Sequence, residues 1–248
     1  MKAILTYHSV DDSGSVISID EPTLRRHVKW LATSGVPVVP LDELVDVPAD
    51  QDAIAITFDD GFANFGELAA PLLLAHALPV TLFVVTGSVG ETNVWPAGGD
   101  VGVPVMRLLD WDELGRLAGA GVSLGAHTRT HPRLENLAAP YVEREIVESR
   151  ARLRAELGVD VSTFAYPYGS VNPAARSIVS RTFTCGVTTR LATLAPSDDV
   201  ALLPRLDCYY FRAPGTLESW GTPRFRVRMN VLAGARSLRR TLTRSFAR

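Results

Sequence analysis

The chain of 248 residues is 46% hydrophobic and 21% charged, which excludes a disordered or fibrous chain and leaves room for one large domain or two small ones. Its 25 basic and 27 acidic residues give a net charge of -2, so nothing global points to a nucleic-acid or membrane-surface binder. The average hides an asymmetry: from Arg224 onward there are eight arginines and no acid, leaving -10 on residues 1–223.

Short apolar runs alternate with helical periodicity along the chain, without internal repeats. In chain order the pattern predicts a strand over 3–7, a helix over 21–33 behind an Asp20 cap, and strands over 36–39 and 53–58. A helix over 65–76 and a strand over 80–85 follow, then a helix over 112–120 and a strand over 122–126. The remainder reads as a helix over 141–157, a strand over 163–166, a helix over 173–181, a strand over 182–188 and a last strand near Leu206. Runs such as 53–58 are apolar almost without interruption, as in strands covered on both faces, so a parallel α/β architecture is predicted. A barrel and an open doubly wound sheet both fit, and both place chemistry at strand C-terminal ends.

Cys185 and Cys208 belong to no CxxC pair and read as buried thiols. The first residues reach His8 and Asp11-Asp12 too soon for a secretory apolar segment, and no run of about eighteen apolar residues occurs. A cytoplasmic location is the expectation.

The reactive residues do fall at predicted strand ends: His8, Asp59-Asp60-Gly61, His127, and Tyr168-Gly169. His127 and His131, four residues apart, can meet one cation if the backbone turns, and a carboxylate from another strand would complete a His-His-Asp site. Each piece alone also has a bland reading: an Asp after a strand caps or turns, and a histidine pair can simply be solvated. Adjacent carboxylates usually diverge, so one can coordinate metal while the other handles protons, a division that suits metal-assisted hydrolysis.

Thr57-Phe58-Asp59-Asp60-Gly61, His127-Thr128-Arg129-Thr130-His131-Pro132 and Phe164-Ala165-Tyr166-Pro167-Tyr168-Gly169 resemble, in order and spacing, three motifs of the polysaccharide deacetylase family, carbohydrate esterase family four. The resemblance covers roughly residues 1–208. It implies a distorted TIM-like (β/α)7 barrel that removes acetyl groups from N-acetylated sugars with one divalent cation. Zinc is the expected ion, and cobalt or nickel would suit the same donors. Carried over by motif, Asp59 would be the general base, Asp60, His127 and His131 the metal ligands, and the Tyr168 backbone N–H an oxyanion donor.

Two departures from the family pattern matter. Ala165 stands where the third motif usually begins with an arginine that orients the catalytic aspartate, and Arg205 is the candidate replacement, with a surface ion pair as its other reading. No histidine follows His131, so the late-motif general acid is missing. A closed barrel places first and last strands side by side, which makes His8 the candidate acid. That arrangement resembles the circularly permuted branch of the family, which includes enzymes acting on poly-N-acetylglucosamine. His27 and His76 lie in helical stretches and read as surface or packing residues, Trp95 as a sugar-stacking face or a loop closer, and Tyr166 with Tyr168 as pocket lining. Tyr209-Tyr210-Phe211 reads as strand packing.

From Phe225, apolar residues at Met229, Leu232, Ala235, Leu238, Leu242 and Phe246 recur at three- and four-residue steps among arginines, predicting a basic amphipathic helix. It reads as a helix packed on the barrel or as a membrane-surface or partner contact. The chain is thus expected to be a barrel over 1–218 with an Arg-rich helix over 219–248, acting as a metal-dependent N-deacetylase of a sugar or glycan. A hydrolase of a non-sugar amide or cyclic imide, and an inactive glycan-binding barrel, are the alternatives. The acidic body argues against nucleic acid as a partner.

Overall fold

The computed structural model describes residues 1–96 and 102–246, with side chains described through residue 235 in the last helix. Among the described residues nine strands form: β1 Lys2–Tyr7, β2 Ser9–Val10, β3 Ser18–Ile19, β4 Ala53–Phe58, β5 Val80–Val84, β6 Ser123–Ala126, β7 Thr163–Ala165, β8 Cys185–Val187 and β9 Leu206–Asp207. The six α-helices are α1 Glu21–Thr33, α2 Ala70–Ala75, α3 Trp111–Gly119, α4 Ala139–Leu157, α5 Pro173–Thr182 and α6 Pro223–Phe246.

Seven strands make one sheet in the order β8-β7-β6-β5-β4-β1-β9, every pairing parallel. β1 and β4 are its longest pair, in register from Lys2 opposite Ala53 to Tyr7 opposite Phe58. The sheet curls. Leu203 N–H donates to the Gly186 carbonyl and Thr188 N–H to the Leu203 carbonyl, while Leu206 pairs with Leu5. The segment 203–207, which carries the edge strand β9 on β1, is thus also bonded at Leu203 to the opposite edge strand, β8.

The near-continuous apolar character of β1 and β4 follows from this curl, because successive side chains point to opposite faces and both faces are covered. Ala3, Leu5, Tyr7, Ile54, Ile56 and Phe58 join the large core between sheet and helices. Ile4, Ala53 and Ala55 join a second core with Phe83, Ala165, Cys185, Val187 and Leu203, closed by Leu41 and Leu44. Both cysteines are buried free thiols, as expected.

Four expected elements differ. Residues 36–39 contribute only a single bridge, Val38 to Ile54, in place of a strand. The expected strand over 182–188 shortens to β8 because α5 runs through Thr182, holding buried Ile178 and Val179. The helix over 65–76 divides into a π-turn, Phe65–Ala69, followed by α2. Pro71 lacks the N–H that an α-helical ladder needs, and Ala70 N–H reaches back to the Phe65 carbonyl. The C-terminal helix starts at Pro223, and its expected apolar stripe is only partly buried: Phe225 and Met229 pack down, Leu232 is half-buried and Ala235 is exposed. The side chains of Leu238, Leu242 and Phe246 lie outside the described residues.

Candidate metal and catalytic centre

The expected site residues converge at the C-terminal ends of the parallel strands. Asp59 and Asp60 follow β4, and a left-handed backbone at Asp60, φ 73°, turns the chain so that neighbouring carboxylates meet different partners. His127 follows β6. The loop 127–131 is pinned from three directions: Gly87 N–H donates to the Arg129 carbonyl, Thr86 N–H to the Thr128 carbonyl, and Glu145 of α4 accepts from the N–H groups of Arg129 and Thr130. A Cβ at Gly87 would stand 2.4 Å from the Arg129 carbonyl oxygen, so only glycine permits this approach.

Among the described residues five non-glycines adopt positive φ, and four of them, Asp60, Thr128, His131 and Tyr168, belong to this centre. Such conformations cost of order 1–3 kcal/mol each and persist where the surroundings over-determine them. Thr128 illustrates the compensation, its hydroxyl accepting from His131 N–H at 3.0 Å.

Asp60, His127 and His131 are all buried, and their donor atoms lie within 4.8 Å of one another. His127 Nδ1–H donates to the Ala165 carbonyl at 2.8 Å, which leaves Nε2 as the atom facing Asp60. His131 Nδ1 meets the Tyr168 hydroxyl at 3.1 Å, again turning Nε2 inward. Both Nε2 atoms stand 3.4 Å from Asp60 Oδ1. That oxygen makes no hydrogen bond although it is buried. Ligand atoms around one tetrahedral cation are roughly 3.3 Å apart, so an orphaned carboxylate oxygen between two inward lone pairs fits a divalent metal.

The electrostatics agree with this fit. Burial holds His131 neutral, pushing its pKa down to about 3 against the pull of Asp60. Burial would also lower His127, but the Asp60 imidazole contact and the charge of Asp59 raise it. Burial would raise Asp60, and the neighbouring imidazoles bring it below the usual carboxylate range.

Asp59 has a separate environment. Arg205 Nη1 donates to its Oδ1 at 2.7 Å and Nη2 to its Oδ2 at 2.6 Å, a bidentate pair in which both residues are buried. Arg205 Nε donates to the Thr188 carbonyl at 2.9 Å, fixing the guanidinium plane. Burial alone would raise the Asp59 pKa, but the charge and hydrogen bonds of Arg205 hold it well below the usual carboxylate range. His8, at the end of β1, places Nε2 3.7 Å from Asp59 Oδ2 and remains partly exposed. Of the two readings of Arg205, the structure therefore realises the buried partner of Asp59.

Trp95 is buried against His131 with ring centroids 4.5 Å apart, so it closes a loop over that imidazole and offers no open sugar face. Tyr166 turns away from the site and packs against Phe164 in the core, contrary to the expected pocket-lining role. Tyr168 stays, held between His131 and the Arg133 guanidinium, which lies 4.2 Å above its ring. Gly169 follows because a Cβ there would fall 2.2 Å from Thr189 Oγ1. His27 is a fully buried packing residue of α1. Tyr209-Tyr210-Phe211, expected in a strand, instead lies in a 3-10 turn over Cys208–Phe211, where Phe211 packs in the core and Tyr209 and Tyr210 stay partly exposed. Loop closing was one of the two expected readings of Trp95; sequence reasoning missed two contributors, the Tyr168 hydroxyl and Glu145, which looks like any other helical acid in the sequence.

A family model for polysaccharide deacetylases matches residues 46–184. YxkH of Bacillus subtilis (strain 168) is 24% identical over 192 residues, spanning 75% of this chain and 63% of that protein. The poly-beta-1,6-N-acetyl-D-glucosamine N-deacetylase of Escherichia coli (strain K12) is 25% identical over 210 residues, 68% of this chain and 30% of that protein. The chain thus spans less than two thirds of the length of these relatives. Among solved structures, the Streptococcus pyogenes deacetylase PplD in complex with acetate superposes with a TM-score of 0.71 at 21% identity, covering 92% of this chain and 96% of that one. Three motifs on three strand ends, the fold that carries them and the matched family model lead to one assignment: this chain belongs to the polysaccharide deacetylase family.

Proposed function

We propose that the protein is a metal-dependent N-deacetylase of an N-acetylated sugar or glycan, working at the centre formed by Asp59, Asp60, His127 and His131. The observation that carries this reading is the pairing of two differently tuned aspartates: Asp60 faces two histidine Nε2 atoms, and Asp59 is clamped by Arg205. The curled sheet, whose β9 edge is bonded to its β8 edge at Leu203, is read as a distorted (β/α)7 barrel.

Asp60, His127 and His131 would hold the cation, with zinc favoured by the two imidazoles and one carboxylate and cobalt or nickel compatible. A divalent cation there supplies Lewis-acid polarisation of the acetamide carbonyl and acidifies the attacking water. Arg205 makes Asp59 a weak base, so Asp59 accepts its proton from an acidified water as that water attacks the carbonyl carbon. The Tyr168 N–H donates to the developing oxyanion, presented by the left-handed turn at φ 58°. As the C–N bond breaks, His8 delivers a proton to the leaving amine, and acetate and the free amino sugar result. His8 stands 3.7 Å from Asp59, within reach of the proton Asp59 has taken.

The test is acetate release from N-acetylglucosamine oligomers and activated N-acetyl sugars, by metal-stripped, zinc-restored and His8→Ala protein. Release that needs the cation and falls by about 10²-fold or more in His8→Ala is expected. A zinc-loaded protein that releases no acetate from any sugar, yet opens cyclic imides or other amides, would replace this reading with the amide-hydrolase one.

A further inference from the structure

The C-terminal helix α6 carries two apolar stripes on different sides, and the fold uses one of them. Phe225, fully buried, stacks on Phe211 and packs against Trp220, and Met229 is buried beside it. At 3.6 residues per turn, Val227 and Val231 lie roughly 150° around the axis from that anchor. Both are exposed, at 62% and 64%. The anchored stripe thus leaves Val227 and Val231 uncovered.

The charge distribution indicates what the second stripe meets. Eight arginines and no acid lie from residue 224 onward, on a chain whose other residues sum to -10. A second copy of α6 would bring arginines against arginines, with no acid on either helix to pair with them. Nucleic acid would use the arginines but leave Val227 and Val231 in water. An anionic lipid surface satisfies both, burying the apolar stripe at the acyl boundary and pairing the arginines with headgroups. Among the described residues no helix is long and apolar enough to cross a membrane, so α6 would lie on the surface. The direction of the helix is also informative. Near its start, Trp220 Nε1 donates to Asp52, just before β4, whereas Arg228 Nη2 donates to the Tyr210 carbonyl, beyond the C-terminal end of β9. α6 therefore runs toward the face of the sheet that holds the candidate site.

We propose that α6 is an interfacial anchor that docks this protein on an anionic lipid surface through the Val227–Val231 stripe and its arginines. The proposal stands independently of the reaction at the metal centre, and it would keep the site close to glycans at that surface. The test uses the full chain with phosphatidylcholine vesicles, with and without about 30% phosphatidylglycerol, read by co-sedimentation. Selective binding to the anionic vesicles that weakens in high salt is expected. A Val227→Glu/Val231→Glu variant should partition roughly tenfold or more weakly with an unchanged Tm, because both positions are exposed in the folded protein. Arg224→Glu/Arg226→Glu should lose the preference for anionic vesicles. Equal binding by wild type and the valine double variant would overturn the proposal. So would absence of vesicle binding, whether or not a concentration-dependent dimer is seen that the valine double variant abolishes.

Discussion

Asp59 and Asp60 are neighbours in the chain and opposites in chemistry, because Arg205 engages both oxygens of the first while the second keeps a buried oxygen without a hydrogen bond. Removing one partner of a buried pair of this kind typically costs 3–5 kcal/mol, so Arg205→Ala would confound activity with stability. Arg205→Lys keeps the charge but loses the planar fork that holds Asp59. A folded protein with kcat lowered by roughly 10²-fold and a nearly unchanged KM is expected, from steady-state acetate release. Tyr168→Phe separates two roles of one residue, since the backbone N–H survives and only the hydroxyl on His131 Nδ1 is lost. Titration of the stripped protein with zinc should give about 10-fold weaker affinity, the usual scale for losing such a partner of a metal-bound histidine. Asp59, Asp60, His127 and His131 were legible as motif residues. Arg205 and His8 were legible only as substitutes for groups missing elsewhere, and the Tyr168 hydroxyl was not legible, because a motif does not say where a side chain points.

The reactive residues His8, Asp59, Asp60, His127 and Tyr168 follow the C-terminal ends of β1, β4, β6 and β7. α1 contributes through His27, which bridges β1 and the chain beyond β9: its Nε2–H donates to the Phe211 carbonyl at 3.0 Å and its Nδ1 meets the Tyr7 hydroxyl at 3.1 Å. Burial lowers the pKa of His27 from 6.5 to about 4. The unfolded chain therefore binds the extra proton first, so the stability this group confers is complete above pH 6.5 and is lost progressively as pH falls toward 4. The loss is on the order of 3 kcal/mol over that window. Urea unfolding of wild type at pH 7.5 and pH 5 should show this decline, and His27→Gln, less stable at the higher pH, should show a smaller one. The elements that departed from expectation did so for local reasons. Pro71 breaks the helical ladder after the π-turn, and buried Ile178 and Val179 draw α5 through Thr182 at the expense of β8. Residues 36–39 have strand-like composition, but they make a single bridge, at Val38 opposite Ile54, because β4 is paired along one side by β1 and from Ile56 onward along the other by β5.

At the scale of the whole molecule, the curl of the sheet sets β9 beside β1, and this brings Arg205 and His8, 197 positions apart, to the same carboxylate. The candidate metal centre likewise draws on residues after β4 and β6, with its walls from the turn after β7 and the loop at Trp95. A ligand that binds only this assembled state stabilises it by mass action, about 2.7 kcal/mol at roughly 100-fold excess over Kd. Zinc added to stripped protein should therefore raise Tm by about 5 °C or more, a shift that His127→Ala abolishes; an unchanged Tm at saturating zinc would argue against a cation at this centre. By itself the sequence determined the alternation of strands and helices, the order of the motifs and the residue types available for chemistry, because these follow from periodicity and from side-chain identity. Only the tertiary structure decided that Arg205 clamps Asp59, that His8 faces it, that Tyr166 turns away while Tyr168 holds His131, and that α6 leaves Val227 and Val231 uncovered. Those outcomes depend on strand adjacency, backbone hand at Asp60 and Tyr168, and helix rotation, none of which is a local property of the chain.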